Sequence, residues 1–182
     1  MALIESVSIP LATPMPAFSL SDPDGVKHES SGLVGEKGLL VVFTCNHCPY
    51  AIAVWPRLIA ASAGFKAQGI NTVAINPNIH PGYPDDAPDK MTGKIAEWGI
   101  PFLYLVDQSQ ETAKAFKAQC TPDVYLFNKE KKLVYHGRID DNWQEEAAVT
   151  THDLIDAVNA LAADRPVPEE QHPSMGCSIK WK

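Results

Sequence analysis

Clustered positive charge, long apolar runs and closely spaced metal ligands are all scarce in this sequence, and each scarcity removes a class of function. Fifteen Lys and Arg stand against 22 Asp and Glu, for a formal net charge of -7. No block of Lys or Arg forms a stripe that could neutralise phosphates, so nucleic acid is not an expected partner. No stretch approaches the ~18 apolar residues of a membrane span, and no membrane association is expected. Met1 to Phe18 carries no cationic leader and is broken by Pro10, Pro14 and Pro16, which is not the pattern of a secretory signal. A cytoplasmic location is therefore the expectation. Internal repeats and low-complexity tracts are missing as well.

Cysteine is sparse too, with Cys45, Cys48, Cys120 and Cys177, and only the first two lie close together. Zinc sites of the common type show a second ligand pair at close spacing, and this chain has none. A c-type haem is excluded because residue 49 is Pro where the attachment motif needs His. Neither a cofactor nor a resident metal is expected. A C-x-x-C pair in a chain without an export signal points to redox chemistry instead.

What is present suits one compact unit. The 182 residues are 45% hydrophobic and 20% charged, ordinary globular values. A chain of that size buries roughly 70% of its unfolded surface, enough for one core over residues 1–182. Residues 1–30 form an N-terminal extension, with a short strand at Phe18 to Leu20 and a turn at Asp22-Pro23-Asp24-Gly25. Residues 165–182 form a C-terminal tail.

Between them, apolar and helical segments alternate. Gly38 to Thr44 is apolar on successive residues, as in a strand covered on both faces, and it ends at Cys45. Pro49 to Gln68 predicts a long helix with Ile52, Trp55, Ile59 and Phe65 inward, kinked at Pro56 and closed by Gly69. Ile70 to Ile75 is a second buried strand. Asn76 to Lys90 is a proline-containing insertion loop with His80 and Tyr83, of a length usually reserved for function or mobility. Met91 to Gly99 predicts a helix, Phe102 to Val106 a strand, and Ser109 to Gln119 a further helix. Val124 to Phe127 and Leu133 to Ile139 predict a hairpin. A last helix runs from about Thr151 to Ala163, capped by Thr150 or Thr151, with Leu154, Ile155, Val158 and Leu161 inward. The order implies an α/β fold with a central mixed sheet flanked by helices on both faces.

The dithiol carries the chemistry. A thiolate forms more readily where helix N-terminal amides and the helix dipole stabilise negative charge. Cys45 ends a strand where a helix is expected to open, so the amides of Asn46, His47 and Cys48 are expected to point at its sulfur. Residues three apart in a regular helix hold Cβ atoms about 5–6 Å apart, whereas a disulfide needs about 3.5–4.5 Å. A non-helical first residue closes that gap. Cys45 is therefore assigned as the attacking thiol and Cys48 as the buried resolving partner. His47, as imidazolium, would favour the thiolate by about 1.4 kcal/mol per pKa unit; otherwise it is a solvated loop residue.

The segments Phe43-Thr44-Cys45-Asn46-His47-Cys48-Pro49-Tyr50, Cys120-Thr121-Pro122-Asp123 and Gly176-Cys177-Ser178-Ile179-Lys180-Trp181 together resemble thioredoxin-like proteins beside the peroxiredoxin and alkyl hydroperoxide reductase (AhpC/TSA) group. The resemblance spans nearly the whole chain and implies a thioredoxin fold. It also implies that Pro122 follows a cis bond facing the dithiol, with Thr121 offering its backbone to an incoming extended peptide or thiol. A Thr-Pro before a strand leaves a gap in pairing that a substrate can fill. Thr44 stands where thioredoxin itself usually has an aromatic residue, and the spacer is Asn46-His47 rather than Gly-Pro. The Pro and Thr that precede a peroxidatic cysteine at set distances are missing from Gly38 to Thr44, which argues against peroxidase activity.

The expected function is thiol-disulfide exchange, with a disulfide-containing protein or a small thiol or peroxide as substrate, in a monomer or homodimer. Cys120, next to Thr121-Pro122, is either a third thiol near the pair or a buried hydrophobe. Cys177 sits in a tail that could fold back over the site. Arg138, Asp140 and Asp141 are taken as surface or structural charges. Other readings use the same residues: a thiol peroxidase with Cys45 as its peroxidatic cysteine, a metal site drawing two more ligands from Cys120, Cys177, His47 or His80, and a redox sensor without turnover.

Overall fold

Residues 3–182 are described by the computed structural model. Three short strands, β1 (Leu3–Glu5), β2 (Ser19–Ser21) and β3 (Lys27–Glu29), form the extension. The central part runs β4 (Gly38–Phe43), α1 (Pro49–Ala67), β5 (Ile70–Asn76), α2 (Pro88–Trp98), β6 (Leu103–Val106) and α3 (Glu111–Ala115). Then follow β7 (Cys120–Thr121), β8 (Asp123–Asn128), β9 (Leu133–His136), α4 (Asp153–Ala162) and β10 (Met175–Ser178). The main sheet has the order β3-β2-β6-β5-β4-β8-β9 and a smaller sheet the order β1-β10-β7. β4 is parallel to β5 and antiparallel to β8, so the main sheet is mixed.

The period-2 geometry of a strand explains how successive apolar residues are all buried. Leu40 and Val42 of β4, with Val124 and Leu126 of β8, face one apolar cluster that takes in Trp55 and Leu58 of α1, Met91 of α2 and Val158 of α4. Leu39, Val41 and Phe43, with Tyr125 and Phe127, face the other cluster, closed by Phe116 after α3 and by Met15 and Phe18 of the N-terminal arm. Helices thus cover both faces, and the fold is that of thioredoxin, as anticipated. The ends of β4 and β5 that point toward α1 hold the site.

Local details depart from the expectations. In α1 the inward residues are Ala51, Val54, Trp55, Leu58, Ser62 and Phe65, while Ile52 is exposed and Ile59 half-buried. The helix continues through Pro56, which withholds only the donor for the Ile52 carbonyl. α2 starts at Pro88 rather than Met91, because Pro suits a first helical turn, and ends on Gly99 with φ +63°. α3 spans only Glu111–Ala115, since Gln110 and Lys117 take left-handed conformations on either side. α4 begins at Asp153 with His152 as its cap; the Thr151 hydroxyl donates to the Asp153 carboxylate and accepts from Arg138 instead. Ile155 lies at the surface of α4, with Leu154, Ala157, Val158 and Ala160 inward. β1, β3, β7 and β10 were not anticipated.

Candidate active site

β4 delivers Thr44 and Cys45 to the edge of the core, and the Thr44 N–H still donates to the Ile75 carbonyl at 2.9 Å, extending the β4–β5 pairing. α1 opens at Pro49, as its pattern predicts, so its N-cap is Cys48, and Cys45 lies ahead of the helix rather than at its N-cap. The Asn46 amide, expected to face the Cys45 sulfur, donates instead to Asp86 Oδ1 at 2.6 Å. Of the first-turn amides of α1, that of Ala51 acts on Cys48. Both sulfurs are fully buried, and all four cysteines are thiols.

Asp86 is the residue the sequence reading missed. It ends the Pro84–Asp86 turn of the insertion loop and is completely buried. Besides the Asn46 amide it accepts from Asn76 Nδ2 at 3.1 Å and from His47 Nδ1. Both polar atoms of the Asn46 side chain are held: Nδ2 donates to the Asp85 carbonyl at 2.7 Å and Oδ1 accepts from the buried Tyr104 hydroxyl at 3.0 Å. The spacer residues are thus clamped to the loop, and a buried carboxylate with three donors is the arrangement that makes such a charge tolerable. His47 stacks on Tyr83 at 4.6 Å between centroids, and its Nε2 is buried without a partner. His47 is therefore neither solvated nor free. The only signal in the sequence was the presence of histidine, tyrosine and acidic residues in an unusually long loop.

On the other side, the Thr121–Pro122 bond is cis, as the resemblance implied. The Thr121 hydroxyl lies 3.3 Å from the Cys45 sulfur, and in its thiol form Cys48 donates to the Thr121 carbonyl at 3.1 Å. The pairing edge of Thr121, expected to be vacant for a substrate, is filled by the chain itself: β10 pairs antiparallel with β7, Cys177 opposite Thr121. The tail does fold back over the site. Cys120 is buried and donates to the Pro122 carbonyl at 3.3 Å. A cleft of about 280 Å³ opens alongside, lined by Pro122, Val54, Trp143 and Met175. Arg138 pairs with Asp153, and Asp140 is buried against Arg57 at 2.6 Å, so both charges are structural.

The thiols differ sharply in proton affinity. Burial first, then Cys48 and the Asp86 carboxylate, push Cys45 well above the ordinary thiol range. Cys48 is lowered to about 5, chiefly by the hydrogen bond from Cys45, with Cys177 and the Ala51 amide adding to it against burial. The amide acts although no capping hydrogen bond is closed. Cys177 is pushed up to about 12, by burial and by its bond to Cys48. Burial and the Asp123 carboxylate raise Cys120 far above a working range. Of the two neighbouring thiols, Cys48 is thus the one held low and Cys45 the one held high. Among the described residues one group could hold a metal ion: Cys45, His47 and Asp86, with ligand atoms within 4.8 Å of one another. That is one ligand short of a closed tetrahedral site, and its carboxylate is already engaged three times.

A sheet of this topology carrying a buried dithiol beside a cis proline defines a thioredoxin-fold thiol redox protein. The chain belongs to the Redoxin family, whose pattern matches residues 10–153, in agreement with the resemblance to the AhpC/TSA group. Among solved structures it is similar to an uncharacterized conserved protein from Geobacillus kaustophilus, at 39% identity and TM-score 0.95, covering 100% of this chain and 97% of that one. A hypothetical protein from Sinorhizobium meliloti is 36% identical at TM-score 0.93, covering 98% of each chain. The thioredoxin domain of a thiol-disulfide oxidoreductase from Bacteroides vulgatus shares the fold at 18% identity and TM-score 0.60, over 71% of this chain and 89% of that one. Nothing among curated proteins matches. The family and the fold together establish a redox enzyme acting through thiols.

Proposed function

We propose that this redoxin is a thiol-disulfide oxidoreductase that cycles Cys45 and Cys48 between dithiol and disulfide. The observation that carries the reading is the placement of both sulfurs within hydrogen-bonding distance of Thr121, at a strand end and a helix start. In this reading the two cysteines take the opposite roles to those assigned from the sequence. Cys48, at the helix N-cap and lowered to about 5, is the sulfur that attacks a substrate disulfide. One substrate sulfur bonds to Cys48 and the other leaves as thiolate. Cys45, protonated in the resting state, then gives up its proton, attacks the Cys48 sulfur and releases the second substrate thiol. The enzyme is left oxidised and the substrate reduced by two electrons.

His47 is suited to the proton step. Its Nδ1 is committed to Asp86, a ring nitrogen lies within 4.8 Å of the Cys45 sulfur, and Nε2 has no other partner. Neither sulfur reaches solvent and β10 fills the Thr121 edge, so access of a protein substrate requires local opening of this cover. Reduction of insulin or a small disulfide by wild type, Cys45→Ser and Cys48→Ser, read beside the midpoint potential, tests the reading. Both variants are expected to fall to the uncatalysed background; turnover retained in either one would overturn it. Fast peroxide consumption without any disulfide substrate would favour a thiol peroxidase instead.

A further inference from the structure

Cys48 has two sulfur neighbours, not one. Cys177 lies opposite Thr121 in the β10–β7 ladder, and Thr121 is the residue whose carbonyl meets the Cys48 sulfur. Cys45, Cys48 and Cys177 belong to the same buried cluster, and the thiols of Cys48 and Cys177 are hydrogen-bonded.

The tail that carries Cys177 is placed by many specific contacts. A side chain at position 176 would collide with the Thr121 carbonyl, so Gly176 alone permits this close approach. Beyond it, the Ile179 N–H donates to the Gln119 carbonyl at 3.0 Å and the Lys180 N–H to Asn78 Oδ1 at 2.9 Å. The buried Gln110 amide donates to the Lys180 carbonyl at 2.8 Å, and the Lys182 N–H donates back to Gln110 Oε1 at 2.9 Å. On the other side the Ser174 hydroxyl donates to the Gly137 carbonyl at 2.6 Å. The tail thus presents a cysteine to the dithiol in the pairing mode that an extended substrate would use.

We propose that Cys177 is a third redox thiol, which takes over the disulfide by attacking the Cys48 sulfur of the oxidised pair. The step rests on the reading of Cys45 and Cys48 as a redox pair. The Cys177 thiol loses its proton and forms a bond to the Cys48 sulfur; the Cys45–Cys48 bond breaks, and Cys45 leaves as thiolate and takes a proton. One disulfide is lost and one formed, so no oxidant is consumed beyond the substrate disulfide that oxidised the pair. Cys48 is the pivot, bonded alternately to Cys45 and Cys177. In the second state the tail is tied covalently across the Thr121 edge and Cys45 is again a thiol.

Disulfide mapping tests this directly. Wild type, Cys45→Ser and Cys177→Ser are oxidised with glutathione disulfide, remaining thiols are blocked with N-ethylmaleimide at low pH, and tryptic peptides are analysed by mass spectrometry. Cys45 and Cys48 share one peptide and Cys177 lies in another, so the two bonds are told apart by mass. Wild type is expected to contain the Cys48–Cys177 linkage beside Cys45–Cys48. Cys45→Ser should accumulate the former and Cys177→Ser only the latter. If neither wild type nor Cys45→Ser yields Cys48–Cys177 while Cys177→Ser closes Cys45–Cys48, the third-thiol role is overturned and the dithiol reading stands. If Cys177→Ser, folded by circular dichroism, fails to close Cys45–Cys48, the dithiol reading fails and takes this proposal with it. The wild-type map needs no variant and so is independent of any folding defect.

Discussion

Two buried carboxylate–histidine pairs flank the sheet end, and they differ in what lies next to them. Asp86 holds His47 and Asp123 holds His136, the latter at 2.9 Å; both carboxylates are fully buried. Each histidine stacks on a tyrosine, His47 on Tyr83 and His136 on Tyr125 at 4.2 Å. Asp123 also accepts from the Gln119 amide and the Tyr125 hydroxyl, both at 3.1 Å, and so joins β8, β9 and the segment before β7 into one frame. Asp86 instead ties the Cys-x-x-C spacer to a loop, and its charge acts on Cys45. The same chemical unit is scaffolding in one place and lies against the dithiol in the other.

The largest effects should fall on both pairs alike. Asp86→Ala and Asp123→Ala each leave buried donors without an acceptor and should each cost about 3–5 kcal/mol of stability, measured by urea unfolding. The comparison sharpens in the thiol titration. Asp86→Asn should lower the proton affinity of Cys45 by removing a neighbouring negative charge, whereas Asp123→Asn should leave Cys45 and Cys48 unchanged and act on Cys120. Equal thiol shifts in the two variants would break the distinction.

Next in size is catalysis. His47→Ala should slow disulfide exchange about 100-fold, the lower end of what a positioned acid or base contributes. His136→Ala should lower the melting temperature and leave the exchange rate of the folded enzyme in place. A rate loss of similar size in both would make His47 structural as well.

The pH dependence follows from Cys48. Its thiol is lowered to about 5 in the folded protein against about 8.5 for an unperturbed cysteine, so across that window the unfolded chain binds more protons. This group therefore adds stability that is fully present above about 8.5 and is lost as the pH falls through about 5. Ultraviolet thiolate absorbance should rise with a midpoint near 5 in wild type and vanish from that range in Cys48→Ser. In Cys45→Ala the midpoint should move up, because the donor that lowers Cys48 most is gone.

The smallest effect belongs to a third pair of the same kind. His28 and Asp22 meet at 3.0 Å in the N-terminal hairpin, about one-fifth exposed on each side. His28→Gln should change stability by less than about 1 kcal/mol, with no effect on exchange.

Much of the fold could be read from residue patterns. The apolar run of β4, the hairpin of β8 and β9 and the position of α1 follow from strand and helix periodicity, which acts over a few neighbours. Boundaries slipped where a side chain found a competing partner. Thr151 bonds Asp153 and Arg138 rather than capping α4, and the Asn46 amide is claimed by Asp86 rather than by a sulfur. The helix begins at Pro49 as its pattern predicts, which leaves Cys48 rather than Cys45 at its N-cap. Asp86 left no periodic trace because a buried carboxylate in a loop looks, in one dimension, like any turn aspartate.

By itself the sequence determined the class of the molecule: spacing and apolar pattern suffice to set two sulfurs between a strand and a helix in an α/β sheet. Only the tertiary structure decided what surrounds each sulfur, what holds His47, and that the tail fills the edge beside Pro122. Those outcomes depend on contacts between segments remote in the chain, such as Asn46 with Asp86 and Thr121 with Cys177. Local propensity carries no information about such meetings, because each partner is equally content as a solvated loop residue until the sheet brings them together.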